Sequence, residues 1–128
     1  MAQHIGEISR ADLEAWLDAY ERAWETKDLA GAASLFTADA QYFETPYAEP
    51  FKGAEGVREY WARVTADQRD IDFRYDIVAV QGSTGVATWS AVFTTISGGV
   101  RMELNGVFVL DFADRKRCKT LREWWLVR

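Results

Sequence analysis

Asp70-Ile71-Asp72-Phe73-Arg74-Tyr75-Asp76-Ile77 alternates a charge with an apolar side chain at every step. Successive side chains of an extended strand point to opposite faces. This period of two therefore puts Ile71, Phe73, Tyr75 and Ile77 on one face and the charges on the other. The pattern continues downstream. Trp89, Ala91, Phe93 and Thr95 alternate with Thr88, Ser90, Val92 and Thr94, and Met102, Leu104, Phe108, Leu110 and Phe112 alternate with Arg101, Glu103, Asn105 and Asp111. Gly82-Ser83-Thr84-Gly85 and Ser97-Gly98-Gly99 are turn signals, Ala113 to Lys116 turns the chain again, and Lys119 to Val127 makes a last strand. Long strands joined by tight turns predict a curved antiparallel meander whose apolar concave face needs cover.

The cover lies upstream, where the period is helical. Ser9 is an N-cap, and Leu13, Trp16, Leu17, Tyr20, Ala23 and Trp24 recur at spacings of three and four, one apolar stripe on a helix to about Lys27. Asp28 caps a short second helix through Leu35 and Phe36, ended by Thr37-Ala38-Asp39. Gln41 to Thr45 is β-rich, Pro46 and Pro50 impose an irregular loop, and a third helix follows Gly53 with Val57, Tyr60, Trp61 and Val64 on one side. Helices first and antiparallel strands after predict an α+β fold, with three N-terminal helices on the concave face of the sheet.

Composition narrows the function. The 128 residues suit one domain over 1–128, with its ordered core from about residue 9, and 48% hydrophobic content supplies a core that a disordered chain lacks. A net charge of −5 opposes a phosphate backbone, so nucleic acid is not an expected partner. No apolar run is long enough to span a bilayer, and the N-terminus shows neither a basic nor an apolar leader region, so the expectation is a cytoplasmic protein without membrane association. Cys118, the single cysteine, lacks a companion thiol, and His4 stands in the N-terminal tail. A metal site or nucleophilic triad has no support.

The order α-α-β-α-β-β-β-β and its landmarks resemble the nuclear transport factor 2-like superfamily, the cone-shaped, cystatin-like fold of ketosteroid isomerases, SnoaL-type polyketide cyclases and limonene-epoxide hydrolases. The landmarks are Lys27-Asp28-Leu29-Ala30-Gly31 before Leu35-Phe36, Asp39-Ala40, Pro46 to Gly53, Val57-Arg58-Glu59-Tyr60-Trp61, and Leu121-Arg122-Glu123-Trp124-Trp125. They are most similar to those of SnoaL-like proteins. The resemblance implies cofactor-free general acid/base chemistry of isomerase or cyclase type on a small hydrophobic molecule, such as a polyketide, terpenoid or steroid-like compound. It also implies a homodimer through the outer face of the sheet, where Val92, Val107 and Val109 interrupt the polar positions. A non-catalytic ligand-binding or assembly module is the alternative on the same fold.

Three residues are candidates for the chemistry. Glu44 falls where the isomerases resemble one another in carrying the catalytic Asp, and Tyr20 where they carry the oxyanion-hole Tyr. The residues themselves also allow a solvated edge carboxylate and a packed core aromatic. The isomerases' second oxyanion donor would fall on Phe108, which cannot donate. Glu123 faces the pocket if Leu121 and Trp125 point inward, and burial there would raise its pKa. The opposite register, with Arg122 and Trp124 inward, fits the alternation nearly as well. The expected apolar lining is Trp16, Tyr20, Trp61, Phe73 and Trp89, then Phe93, Leu104, Phe108 and Trp125. Arg101-Met102-Glu103 resembles an epoxide-hydrolase spacing, but its charges share the outer parity of Asn105 and Asp111, as do those of Asp72-Arg74-Asp76.

Overall fold

The computed structural model describes residues 7–128, so the tail containing His4 lies outside it. The chain runs α1 (Arg10–Glu25), α2 (Leu29–Ser34), β1 (Phe36–Phe43), β2 (Phe51–Lys52), α3 (Gly53–Thr65), β3 (Gln68–Gln81), β4 (Thr84–Thr95), β5 (Arg101–Phe112) and β6 (Cys118–Val127). The strands form one curved sheet in the order β2-β1-β6-β5-β4-β3, antiparallel except where β1 runs parallel to β6. Three helices cover it. No described helix is long and apolar enough to cross a membrane.

Local chemistry explains the helix ends. Ser9 and Asp12 form a reciprocal capping box, each side chain accepting from the other's backbone N–H at 3.0 and 2.9 Å. The Asp28 carboxylate accepts from Gly31 N–H and caps α2. α3 opens on Gly53, held at φ 73°, where a Cβ would sit 2.6 Å from the Ala38 carbonyl oxygen, so only glycine fits.

The second helix ends earlier than the sequence pattern suggests. Phe36 already pairs with Cys118, so Thr37-Ala38-Asp39 belongs to β1 rather than to a helix end. The segment just after Pro50 also contributes a short strand, with Phe51 and Lys52 paired to Tyr42 and Gln41. Both corrections have one cause. These residues are strands because partners distant in sequence pair with them, which local periodicity does not register.

The meander keeps its expected parity. Ala87, Trp89, Ala91 and Phe93 are buried on β4, and Phe108, Leu110 and Phe112 on β5. A β-bulge interrupts β3, because the pairing with β4 slips by one residue between Arg69/Thr94 and Asp72/Val92. Asp70 takes a left-handed φ of 53° there, and the Glu25 carboxylate accepts the Phe73 N–H at 2.9 Å. One inserted residue reverses which face a strand presents. Gln68 therefore turns inward with Phe73, although simple alternation would place them on opposite faces.

Candidate functional site

The helices and sheet enclose a cavity of about 230 Å³. Its wall is built from Tyr20 and Trp24 on α1, Tyr42 and Glu44 at the end of β1, and Tyr60, Trp61 and Val64 on α3. Gln68, Trp89, Phe93, Met102, Leu104, Glu123, Trp125 and Val127 complete it from the remaining strands. Of the expected lining, Tyr20, Trp61, Trp89, Phe93, Leu104 and Trp125 are in this wall. Trp16, Phe73 and Phe108 are not, and they belong to the packed core. The Trp16 indole donates to the Leu35 carbonyl at 3.0 Å, while Phe73 and Phe108 are 1% and 0% exposed behind Tyr20 and Trp89. Periodicity gives a side chain's face but not its depth.

The last strand resolves into the register with Leu121, Glu123 and Trp125 inward and Arg122 and Trp124 outward. Glu123 is 5% exposed, and its neighbour across the strand pair is Phe108 rather than a base. Burial pushes its carboxyl up to about 8, with a small further push from the charge of Glu44, while the Tyr42 hydroxyl offsets part of the rise. At neutral pH Glu123 is therefore largely a neutral acid.

The other polar groups are held around it. Tyr20 and Tyr42 hydroxyls are 3.1 Å apart, and burial keeps both phenols protonated far above neutral pH. When Glu123 ionises, Tyr42 can donate to it and accept from Tyr20. Glu44 is half-buried where β1 ends, and accepts a 2.7 Å hydrogen bond from the Tyr60 hydroxyl. The Trp125 indole donates to the Glu44 carbonyl at 3.0 Å, tying β1 to the far end of β6. Tyr60 is itself fixed by stacking on Phe51, with ring centroids 4.4 Å apart.

Tyr42, Tyr60, Trp24 and Gln68 were not among the expected site residues. Tyr42 shares parity with Glu44, and Tyr60 and Trp24 lie on apolar helix stripes, so weak signals exist for those three. Gln68 is hidden by the bulge. Arg101 and Glu103 pair with each other on the outer face, and Arg128 Nε lies 3.2 Å from Glu103, so the epoxide-hydrolase spacing contributes nothing to the cavity. Cys118 is fully buried with its thiol pushed up, close to the carbonyls of Asp111 and Thr120, an environment opposite to that of a reactive thiolate. Among the described residues no three His, Cys, Asp or Glu side chains converge as a metal site requires.

A curved sheet closed by three helices around a small aromatic cavity defines a small-molecule-binding fold of the SnoaL and ketosteroid isomerase type. The chain belongs to the SnoaL-like domain family, whose model matches residues 10–119. No curated protein matches the chain in sequence. Among solved structures, it is similar to SalBIII, an epoxide hydrolase/cyclase-like enzyme with a role in pyran ring formation in the polyether salinomycin. The identity is 19%, over 93% of this chain and 96% of that one, with a TM-score of 0.78. A protein of Shewanella putrefaciens proposed as a SnoaL-like polyketide cyclase is 13% identical over 91% and 90% of the two chains, with a TM-score of 0.74. A protein of Novosphingobium aromaticivorans proposed as a scytalone dehydratase is 12% identical over 92% and 85%, with a TM-score of 0.77. At these identities the likeness is one of fold.

Proposed function

We propose that the cavity binds a small hydrophobic carbonyl compound of polyketide, terpenoid or steroid-like class and carries out cofactor-free general acid/base chemistry of isomerase or cyclase type. The observation that carries this reading is Glu123, a buried carboxyl raised to about 8 in the same cavity wall as Glu44. A group whose pKa lies near the working pH gives and takes a proton with little loss either way. Glu44 takes a proton from a carbon beside the substrate carbonyl, since the Tyr60 bond occupies only part of its accepting capacity. Glu123 supplies a proton at the oxygen or at a second carbon, and the charge of the pair is unchanged. Tyr20, through Tyr42, acts as the polarising donor that stabilises Glu123 once it has given its proton.

The test is deuterium exchange at the α-carbons of small cyclic ketones in D₂O, followed by NMR. Glu44→Gln and Glu123→Gln keep size and hydrogen bonding but remove the proton-transfer group, so each is expected to slow exchange by roughly 10²–10⁴-fold. If both variants exchange at the wild-type rate, the cavity is a binding site without catalysis, the alternative on this fold.

We also infer a two-fold homodimer through the outer face of the sheet. Trp124 and Leu126 are 45% and 80% exposed there and form an apolar groove with Pro46 and Val107. Half-buried Val92 and Val109 extend that face. A patch of this kind gains by self-complementary burial. Sedimentation at micromolar concentration is expected to give a dimer for the wild type and a monomer for Trp124→Glu/Leu126→Glu. A wild type that sediments only at monomer mass refutes the interface.

A further inference from the structure

Among the described residues, Gln68 is the one amide in the cavity wall, and its orientation is set by chemistry. The Trp24 indole N–H, which can only donate, makes a 2.8 Å bond to Gln68 Oε1. The amide oxygen must face Trp24, so the NH₂ occupies the other side of the same plane. That NH₂ has no acceptor among the described residues, although the side chain is 5% exposed and lines the cavity. The β3 bulge at Asp70 is what turns this residue inward, so a local backbone distortion is maintained around it.

Among the described residues, the indole nitrogens of Trp61 and Trp89 are unpartnered but have no accessible surface, so they do not open onto the cavity. The Gln68 NH₂, which is not one of those sealed atoms, is the free donor that an acceptor-bearing guest would match. The size of the cavity bounds the part of the guest it holds. An apolar cavity of about 150 Å³ holds benzene, so about 230 Å³ takes one substituted ring or two fused rings.

We propose that Gln68 is the anchoring donor of the cavity, its amide NH₂ holding an acceptor oxygen of the ligand, and that the ligand is a one- or two-ring apolar ketone or a close carbonyl relative. This rests on the reading of the cavity as a small-molecule site and narrows it. Trp24, which orients Gln68, and Tyr20, which meets Tyr42 beside Glu123, are one helical turn apart on α1, with ring centroids separated by 6.1 Å. Gln68, Glu44 and Glu123 line the same cavity, so a ligand whose oxygen is held on Gln68 occupies the space that both carboxyls border.

The test compares 1-indanone with indane, the same two-ring frame with and without the acceptor, by quenching of intrinsic tryptophan fluorescence. The wild type is expected to bind 1-indanone more tightly. Gln68→Met should weaken 1-indanone by roughly five- to tenfold, the worth of one buried hydrogen bond, and leave indane unchanged. Because Gln68→Met also strands the Trp24 N–H, at a cost to folding, Trp24→Phe/Gln68→Met removes both partners at once and is expected to abolish the preference for 1-indanone while still binding indane. A wild type with no preference for 1-indanone, or variants that lose both probes equally, overturns the anchor. A wild type that binds neither probe overturns the small-molecule reading itself, whereas failure of that reading's catalytic part is seen only in the Glu44 and Glu123 exchange rates.

Discussion

Glu123→Gln is expected to leave the protein about as stable as the wild type near pH 4.5 and to make it the more stable of the two at pH 8–9. The carboxyl rises from an ordinary value near 4.5 to about 8 in the folded protein. Between those values the unfolded chain has released the proton while the folded one still holds it, so stability falls as pH rises through this window and levels off above it. At about 1.4 kcal/mol per unit, the loss approaches roughly 4–5 kcal/mol. Glutamine keeps the shape and the Tyr42 contact without titrating, so the variant lacks this slope. The groups facing Glu123 do not reproduce the effect. The phenols of Tyr20, Tyr42 and Tyr60 are all pushed upward, out of the window. Paired carboxyls such as Asp114 are lowered and act at more acid pH, in both proteins alike. Urea melts across pH 4.5–9 measure the difference. Parallel curves for the two proteins would mean that Glu123 ionises as it does in water.

Phe108→Ala is expected to cost about 3–5 kcal/mol, the range for truncating a buried aromatic. The ring is 0% exposed and sits 5.3 Å from both Tyr20 and Trp89 and 6.3 Å from Phe73, centroid to centroid. Its removal opens a void in the layer that backs the cavity, so the loss includes the contacts of its neighbours. Phe93→Ala should cost less, because that ring is 9% exposed and already borders open space. A conservative change at Thr94, on the outer face, should stay within about 0.5 kcal/mol. Equal midpoints in urea for the Phe108 and Thr94 variants would show the strand faces to be reversed.

The meander was legible because alternation survives along β4 and β5, where one face is buried and the other is not. It failed at Gln68, where a single inserted residue exchanges the faces and leaves no trace in composition. The inward choice of Glu123 over Arg122 could not be read from β6 itself, because a Trp follows each option. Pairing with Phe108 on β5 decides it, and that partner is remote in sequence. Phe73 and Phe108 read as lining for a related reason. Strand parity assigns them to the concave face, but the helix side chains stacked over that face determine which of its residues still meet the cavity. Glu44 was found only through resemblance, since a carboxylate at a strand end carries no pattern of its own.

The parallel pairing of β1 with β6 has a consequence for how the protein comes into being. β3 to β6 are joined by successive hairpins and can form from local contacts, whereas β1, with β2 on its far side, joins that meander only through β6. Pairings that close long loops are the slow, late events of folding. The Trp125 bond to Glu44 closes 81 residues of chain, and it lies beside both carboxyls. The order of events on the folding pathway therefore withholds the site until the end. An intermediate with its hairpins complete has most of its sheet, yet Glu44 and Glu123 remain apart, so recovery of ligand binding after refolding should lag behind recovery of β-structure.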